Sequence, residues 1–320
     1  MKKIAVITSG GDAPGMNAAV RGVVRTALAR KVEVVGFLHG YRGIISEELI
    51  TLNSMSVGGI ISQGGTTLRT ARCPEFRERA GREQAIQVLR DNEIDGLVVI
   101  GGDGSLTGAR AIHEEFAFPV MGVPGSIDND IAGTDYSIGF DTAVNTALQA
   151  VDKIRDTAYS HERVFVVEVM GRANGFIALE VALSGGAEAV LIPEIPFSLL
   201  EICNNLKQAR VRGKRSSIIV VAEGAARAGD VKDFVHKNTG FEARESVLGH
   251  MQRGGSPTTF DRVLALRLGA HAANRLISGF SGEMVGVDGN DLCHNPLSYV
   301  LSTERTIDPE KLLLVDMMAN

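Results

Sequence analysis

Short apolar runs rich in β-branched residues alternate with amphipathic stretches along the whole of this chain, and that alternation limits the folds open to it. The runs 3–8, 32–38, 94–100, 119–123, 163–169, 188–192, 216–222, 243–248 and 283–287 read as strands. Helical patterns fall between them near 15–30, 78–91, 105–116, 139–159, 174–184, 198–212, 230–238 and 257–278. The order predicts an α/β protein whose parallel sheets are covered on both faces by helices. Leu97-Val98-Val99-Ile100 contains no polar residue, as a strand buried on two sides requires. A length of 320 residues suggests two domains, with a boundary near 139 and a return of the chain near 252.

A net charge of −5 supplies no overall basic field, so nucleic acid is not an expected partner and anions must be bound by local clusters. Cys73, Cys203 and Cys293 are scattered without C-x-x-C spacing, which argues against a disulfide framework or structural zinc and suits a reducing cytoplasm. The start Met1-Lys2-Lys3 followed by Ile4 to Ile7 resembles a signal peptide only until Ser9-Gly10-Gly11-Asp12 interrupts it. No apolar run approaches the roughly 20 residues that span a bilayer, so no membrane partner is expected.

One internal echo points to chemistry. Ser9-Gly10-Gly11-Asp12 and Gly101-Gly102-Asp103-Gly104 both end a strand in Gly-Gly-Asp and lead into a helix. Ligands of open α/β sheets bind at such carboxyl strand ends, so two of these turns could flank one nucleotide. Glycine lets backbone N–H groups approach a phosphate, and a helix beginning near Ser105 would add its positive end. The spacing Gly102, Gly104, Gly108 matches neither G-x-x-x-x-G-K-[ST] nor G-x-G-x-x-G.

Pro124-Gly125-Ser126-Ile127-Asp128-Asn129-Asp130 follows the strand 119–123. Carboxylates two apart in a loop commonly form Asx turns. Here Asp128 and Asp130 are expected to converge with Asp103 at adjacent strand ends, where crowded like charges need a metal or cationic substrate. Phosphoryl transfer gives that grouping a purpose, with a metal on the phosphates and one carboxylate taking the proton of the attacking hydroxyl. Arg72, Arg163, Arg172, Arg244 and Arg253 lie near strand ends, where guanidinium groups grip phosphate in bidentate fashion. Glu223 either accepts sugar hydroxyls or caps a helix. A second basic set comprises Arg21 and Arg25 on one helix, with Arg212, Lys214 and Arg215 before strand 216–222; it is either a solvated face or an anion-binding effector site.

With these motifs together, the chain resembles the bacterial ATP-dependent 6-phosphofructokinases over nearly its whole length. The carriers are residues 8–17, 101–105 and 124–130, Met170-Gly171-Arg172, and Leu248 to Gly255. The resemblance implies two Rossmann-like three-layer α/β/α domains with mostly parallel sheets. Residues 1–139 plus 252–303 would form the larger, ATP-binding domain, and 140–251 plus 304–320 the smaller, sugar-phosphate-binding domain. It further implies transfer from MgATP to fructose 6-phosphate, with Asp128 as base, Asp130 in support and Asp103 at the Mg²⁺. Arg72, Arg172 and the Gly11 N–H would steady the phosphoryl group in flight. Gly11, Arg72, Cys73, Gly102, Asp103, Gly104, Ser105 and Gly108 match the ATP contacts. Ser126, Ile127, Asp128, Met170, Gly171, Arg172 and Glu223 match sugar contacts, and Arg163, Arg244, His250 and Arg253 the 6-phosphate pocket. A homotetramer with shared substrate sites is implied.

Gly104 and Gly125 stand where pyrophosphate-dependent relatives carry Asp and Lys, which favours ATP. Arg69 stands where Gly is common, and Ser126 where Thr is usual. Arg21, Arg25, Arg155, Glu188 and Lys214 match an ADP or phosphoenolpyruvate effector site, with Arg212 in place of Lys. Ser54, Gly59 and Ser216 depart from it.

Overall fold

The computed structural model describes residues 1–319. The chain divides into two compact units, Met1–Thr142 with Arg253–Arg305, and Ala143–Gln252 with the chain from Thr306. The first holds strands β1 (Lys3–Ser9), β2 (Glu33–Phe37), β3 (Leu49–Leu52), β4 (Gly96–Gly101) and β5 (Val120–Pro124). Helices α1 (Met16–Ala29), α2 (Tyr41–Ile45), α3 (Arg79–Asp91) and α4 (Asp103–Phe116) lie between them. After α5 (Phe140–His161), the second unit runs β6 (Val164–Val169), α6 (Phe176–Gly185), β7 (Ala189–Leu191), α7 (Leu199–Val211), β8 (Ser217–Ala222), α8 (Ala228–Thr239) and β9 (Ala243–Val247). The chain then re-enters the first unit with α9 (Thr259–Ile277), β10 (Glu283–Asp288), β11 (Asp291–Pro296) and α10 (Leu297–Ser302), and α11 (Pro309–Ala319) belongs to the second.

The first sheet has the order β11-β10-β5-β4-β1-β2-β3. Its five inner strands are parallel, while β3 and β11 pair antiparallel at the two edges. Every residue of β4 is buried, and Ile7, Leu97, Val99, Leu106, Ile112 and Val120 share one core cluster. On the other face α1 and α9 approach through two glycines. A Cβ on Gly22 would lie 2.7 Å from the Leu266 carbonyl oxygen, and one on Gly269 would lie 2.3 Å from that of Ala19. Only residues without a side chain allow that spacing.

The second sheet is all parallel, in the order β7-β8-β6-β9. Val164, Val166, Leu206, Ile219, Val221 and Val231 form its core. Ser198 starts α7 by accepting the Glu201 N–H, the first half of a capping box. Lys311 on α11 pairs with Glu180 on α6.

The strand and helix patterns of the sequence correspond to nine strands and eight helices here, while β3, β11, α2, α10 and α11 lie outside them. β3 is four residues long, and β11 is polar, largely exposed and closed by Pro296, as suits a sheet edge. No helix among the described residues is long and apolar enough to cross a membrane.

Candidate active site

Parallel register brings three turns of the first unit side by side. Ser9 stands opposite Gly101 in the β1–β4 ladder, and Gly101 opposite Pro124 in the β4–β5 ladder. The strands therefore end level, and the turns opened by Gly10, Gly102 and Gly125 leave from one edge. From β1 the chain proceeds to β2 and β3 on one side of the sheet and takes up β4 and β5 on the other. The echoed turns thus straddle the point where strand order reverses, the usual ligand crevice of such sheets.

The turns touch one another. Gly10 has a φ of 83°, and a Cβ there would lie 3.1 Å from Ser105 Oγ; a Cβ on Gly101 would lie 2.6 Å from the same oxygen. A Cβ on Gly102 would come to 3.8 Å from the Gly125 carbonyl oxygen. The helix expected near Ser105 starts two residues earlier, at Asp103, because Gly102 takes the N-cap position. Gly102 offers the first-turn amides no side-chain acceptor, an arrangement suited to an incoming anion. Above Gly104 there is open space, with nothing within 4 Å of a Cβ. Gly108 also answers a packing need: a Cβ there would meet the Tyr41 ring at 2.8 Å, and the Tyr41 hydroxyl donates to the Ser105 carbonyl (2.6 Å).

The loop carrying the two aspartates is tied at both ends. Gly125 N–H donates to the Gly101 carbonyl (3.0 Å), and Ser126 N–H to the Ile138 carbonyl (3.1 Å). Asp128 is 2% exposed, and its N–H donates to Ser126 Oγ (3.2 Å), whose hydroxyl donates to Asp130 Oδ1 (3.3 Å). Asn129 adopts a left-handed φ of 54° that asparagine tolerates. Its Oδ1 accepts the Ser137 N–H (2.8 Å) and its Nδ2 donates to the Asp135 carbonyl (3.2 Å). The expected convergence of Asp103, Asp128 and Asp130 does not yield a ligand cluster: no three His, Cys, Asp or Glu side chains among the described residues could hold a metal ion together. Asp130 is turned to Ser126, and Asp103 sits on its own helix end.

Residues 66–72 lie against β1. The Thr8 hydroxyl donates to the Arg69 carbonyl (2.8 Å) and meets the Thr66 hydroxyl (2.7 Å), while the Thr70 hydroxyl donates to the Gly10 carbonyl (2.5 Å). Arg69 has a φ of 58°, so arginine occupies a backbone conformation that favours glycine. Arg72 is exposed; the half-buried Cys73 thiol donates to Glu75 (3.6 Å), and burial pushes its pKa up. The Arg253 guanidinium lies on Gly11, where a Cβ would come to 2.1 Å from Nη2, and its buried Nε has no hydrogen-bond partner among the described residues.

In the second unit β6 runs into Met170-Gly171-Arg172, and Glu223 Oε1 accepts the N–H groups of Gly171 (3.2 Å) and Arg172 (2.8 Å). Glu223 thus braces a turn, a role that its position after β8 did not disclose. Arg163 and Arg244 share one carboxylate, Glu242, at 3.0 Å and 2.6 Å. Hydrogen bonding from Arg163 leads the causes that hold the Glu242 carboxyl below its ordinary pKa. His250 is exposed.

The family model described as Phosphofructokinase matches residues 3–276. The chain belongs to the phosphofructokinase family. It is 54% identical over 308 residues to the ATP-dependent 6-phosphofructokinase of Bacillus pumilus, with 96% of each chain covered. A solved phosphofructokinase from Saccharomyces cerevisiae matches 94% of this chain with a TM-score of 0.88 at 38% identity, and this chain spans 45% of the yeast chain's length. A pyrophosphate-dependent phosphofructokinase from Marinobacter aquaeolei matches with a TM-score of 0.85 at 25% identity, covering 97% of this chain and 86% of that one.

Phosphofructokinase membership makes the chain a phosphotransferase of a family whose kinases need a metal. The donor set here fits a small hard cation that keeps most of its waters and takes one carboxylate plus phosphate oxygens. Asp103, at the start of α4 beside the open space over Gly104, is the carboxylate such a cation would take.

Five of the residues matched to an effector site make contacts within their own unit. Arg21 donates to the Val57 carbonyl (2.6 Å) and Arg25 to that of Ser54 (3.0 Å). Arg155 donates to the carbonyls of Gly185 and Gly186, Lys214 pairs with Glu188 (2.8 Å), and Arg212 is exposed.

Three residues that brace the elements around these turns had no role assigned from sequence: Asn129, Glu242 and Asp261. Fully buried Asp261 accepts the Gly139 N–H (2.9 Å) and both the Thr142 N–H (2.8 Å) and hydroxyl (2.5 Å). Burial pushes its pKa up to about 6 despite those donors. A capping signal was legible, since Thr258 Oγ accepts the Asp261 N–H (3.2 Å). The distant partners were not.

Proposed function

We propose that this phosphofructokinase transfers the γ-phosphoryl group of ATP to the 1-hydroxyl of fructose 6-phosphate, giving fructose 1,6-bisphosphate and ADP. The observation that carries the reading is the level ending of β1, β4 and β5 at Ser9, Gly101 and Pro124, which sets two glycine turns beside a braced, buried Asp128. Asp128 takes the proton of the sugar hydroxyl; the freed oxygen forms a bond to the γ-phosphorus, and the bond to the β-phosphate oxygen breaks. Asp130 supports that base through Ser126. The Gly11 N–H, Arg72 and Arg172 stabilise charge on the group in transfer. Asp103 would hold Mg²⁺, which would supply neutralisation of phosphate charge.

Arg163, Arg244, His250 and Arg253 take the sugar 6-phosphate, and Ser126, Ile127, Met170, Gly171 and Glu223 the sugar. Gly102, Gly104, Ser105, Gly108 and Cys73 lie along ATP. The active form is a cytoplasmic homotetramer with substrate sites shared between subunits, and the set around Arg21, Arg25, Arg155, Glu188, Arg212 and Lys214 takes ADP or phosphoenolpyruvate. A coupled assay with fructose 6-phosphate tests the reading: turnover with MgATP and little with pyrophosphate is expected, and the reverse preference overturns it. Velocity curves unmoved by either effector would remove the regulatory part.

A further inference from the structure

Three consecutive backbone amides after β6 are held by two side chains. The Met170 N–H donates to Gln252 Oε1 (2.9 Å), and those of Gly171 and Arg172 donate to Glu223 Oε1. The turn is also closed from its other side, since the Gly171 carbonyl accepts the Asn174 N–H (2.9 Å) and a Cβ on Gly224 would lie 2.1 Å from the Arg172 carbonyl oxygen. Its φ values are 146° at Gly171 and 52° at Arg172. A left-handed arginine is disfavoured by its own Cβ, so the surroundings maintain this conformation.

Gln252 is fully buried, and its Nε2 has no hydrogen-bond partner among the described residues. An unsatisfied buried donor is a standing cost that leucine or methionine of similar volume would not carry. What the amide supplies in return is an acceptor for the Met170 N–H. We infer that Gln252 is a positioning residue for phosphoryl transfer: its Oε1 anchors the start of the turn from which Arg172 departs, as Glu223 anchors the end. It also lies two residues after His250, within the same short helical turn Gly249–Arg253.

The inference rests on the reading of Arg172 as the cation that steadies the phosphoryl group, and a double-mutant cycle separates the two. Full-length wild-type, Gln252→Leu, Arg172→Ala and the double variant are compared at saturating ATP and fructose 6-phosphate. Gln252→Leu is expected to lower kcat about tenfold to a hundredfold, the scale of a misplaced catalytic group. A rise in its KM for fructose 6-phosphate is expected beside that, since Met170 and Gly171 take the sugar, and kcat at saturation carries the test. In the Arg172→Ala background the same change should cost less than about threefold, because it acts through the missing side chain. Equal losses in both backgrounds, or a loss confined to KM, overturn the inference. Arg172→Ala with unaltered kcat overturns the reading of Arg172 instead. Should the leucine variant not fold, Gln252→Met carries the same comparison.

Discussion

The guanidinium of Arg253 rests on the α-carbon of Gly11, so close that a single methyl there would meet Nη2 at 2.1 Å. The glycine of the first Gly-Gly-Asp turn and an arginine proposed for the sugar phosphate are thus one packed contact. Unlike Gly10, Gly11 has no left-handed φ, so alanine suits its backbone. The clash falls on the far end of a flexible side chain, which moves at little cost to the fold. Gly11→Ala should therefore keep its melting temperature within about 2 °C of wild type. Its kcat/KM for fructose 6-phosphate should fall at least about tenfold as Arg253 is displaced. Calorimetry and steady-state kinetics on one preparation check both, and a variant that loses stability but keeps kcat/KM would refute the contact.

Arg69 is left-handed, yet only its backbone is tied to β1, through the carbonyl that accepts the Thr8 hydroxyl. Arg69→Gly relieves backbone strain on the order of 1 kcal/mol and keeps that bond. Glycine's greater unfolded-state entropy offsets part of the gain, so a rise in melting temperature of about 1–3 °C is expected. A fall would show that the arginine side chain holds the loop.

What the sequence disclosed follows how locally each feature is encoded. β4 was legible because Leu97 to Ile100 carry their burial in four consecutive residues. β11 was not, since Asp291–Pro296 owes its pairing to β10 and not to its own composition; the Gly289-Asn290 turn, with Gly289 at φ 57°, was the available sign of a hairpin. Asp103 and Asp128 stood out because glycine and proline frame them. Asp261 and Gln252 did not, because their partners lie about a hundred residues away along the chain. Periodicity cannot report a bond of that kind.

Asp261 gives acid an unusual sign. Its folded pKa of about 6 lies above the ordinary 3.8, so between those values the folded state binds a proton that the unfolded state does not. Its penalty is fully present above about pH 6 and fades as pH falls, a contribution on the order of 3 kcal/mol across the window. Asp261→Asn removes the titration and replaces one of the two oxygens that accept from Gly139 and Thr142 with an NH2 donor. The variant should be less stable at pH 7.5, and its deficit in thermal midpoint against wild type should widen toward pH 5. A gap that narrows on acidification would show that the carboxylate is favoured in its charged form.

Gly104 opens onto free space in the first turn of α4. An aspartate there suits the positive end of the helix, so Gly104→Asp should fold with unchanged or slightly higher stability. Its charge and bulk would occupy room needed by a nucleotide's inner phosphate. The kcat/KM for ATP should drop about a hundredfold or more, a loss of roughly 3 kcal/mol in transition-state stabilisation. Undiminished ATP use would place the nucleotide away from this turn.

The most direct test concerns Asp128, the buried carboxylate in the Ser126–Ser137 brace. Asp128→Asn keeps its shape and removes its basicity, so kcat should fall about 10²- to 10⁴-fold, the usual worth of a general base. The Kd for fructose 6-phosphate, measured by equilibrium binding, should change less than about threefold. Rapid quench at saturating substrates would read the transfer step itself. A transfer rate near wild type would contradict the account, and a slow transfer with intact sugar binding is what it predicts.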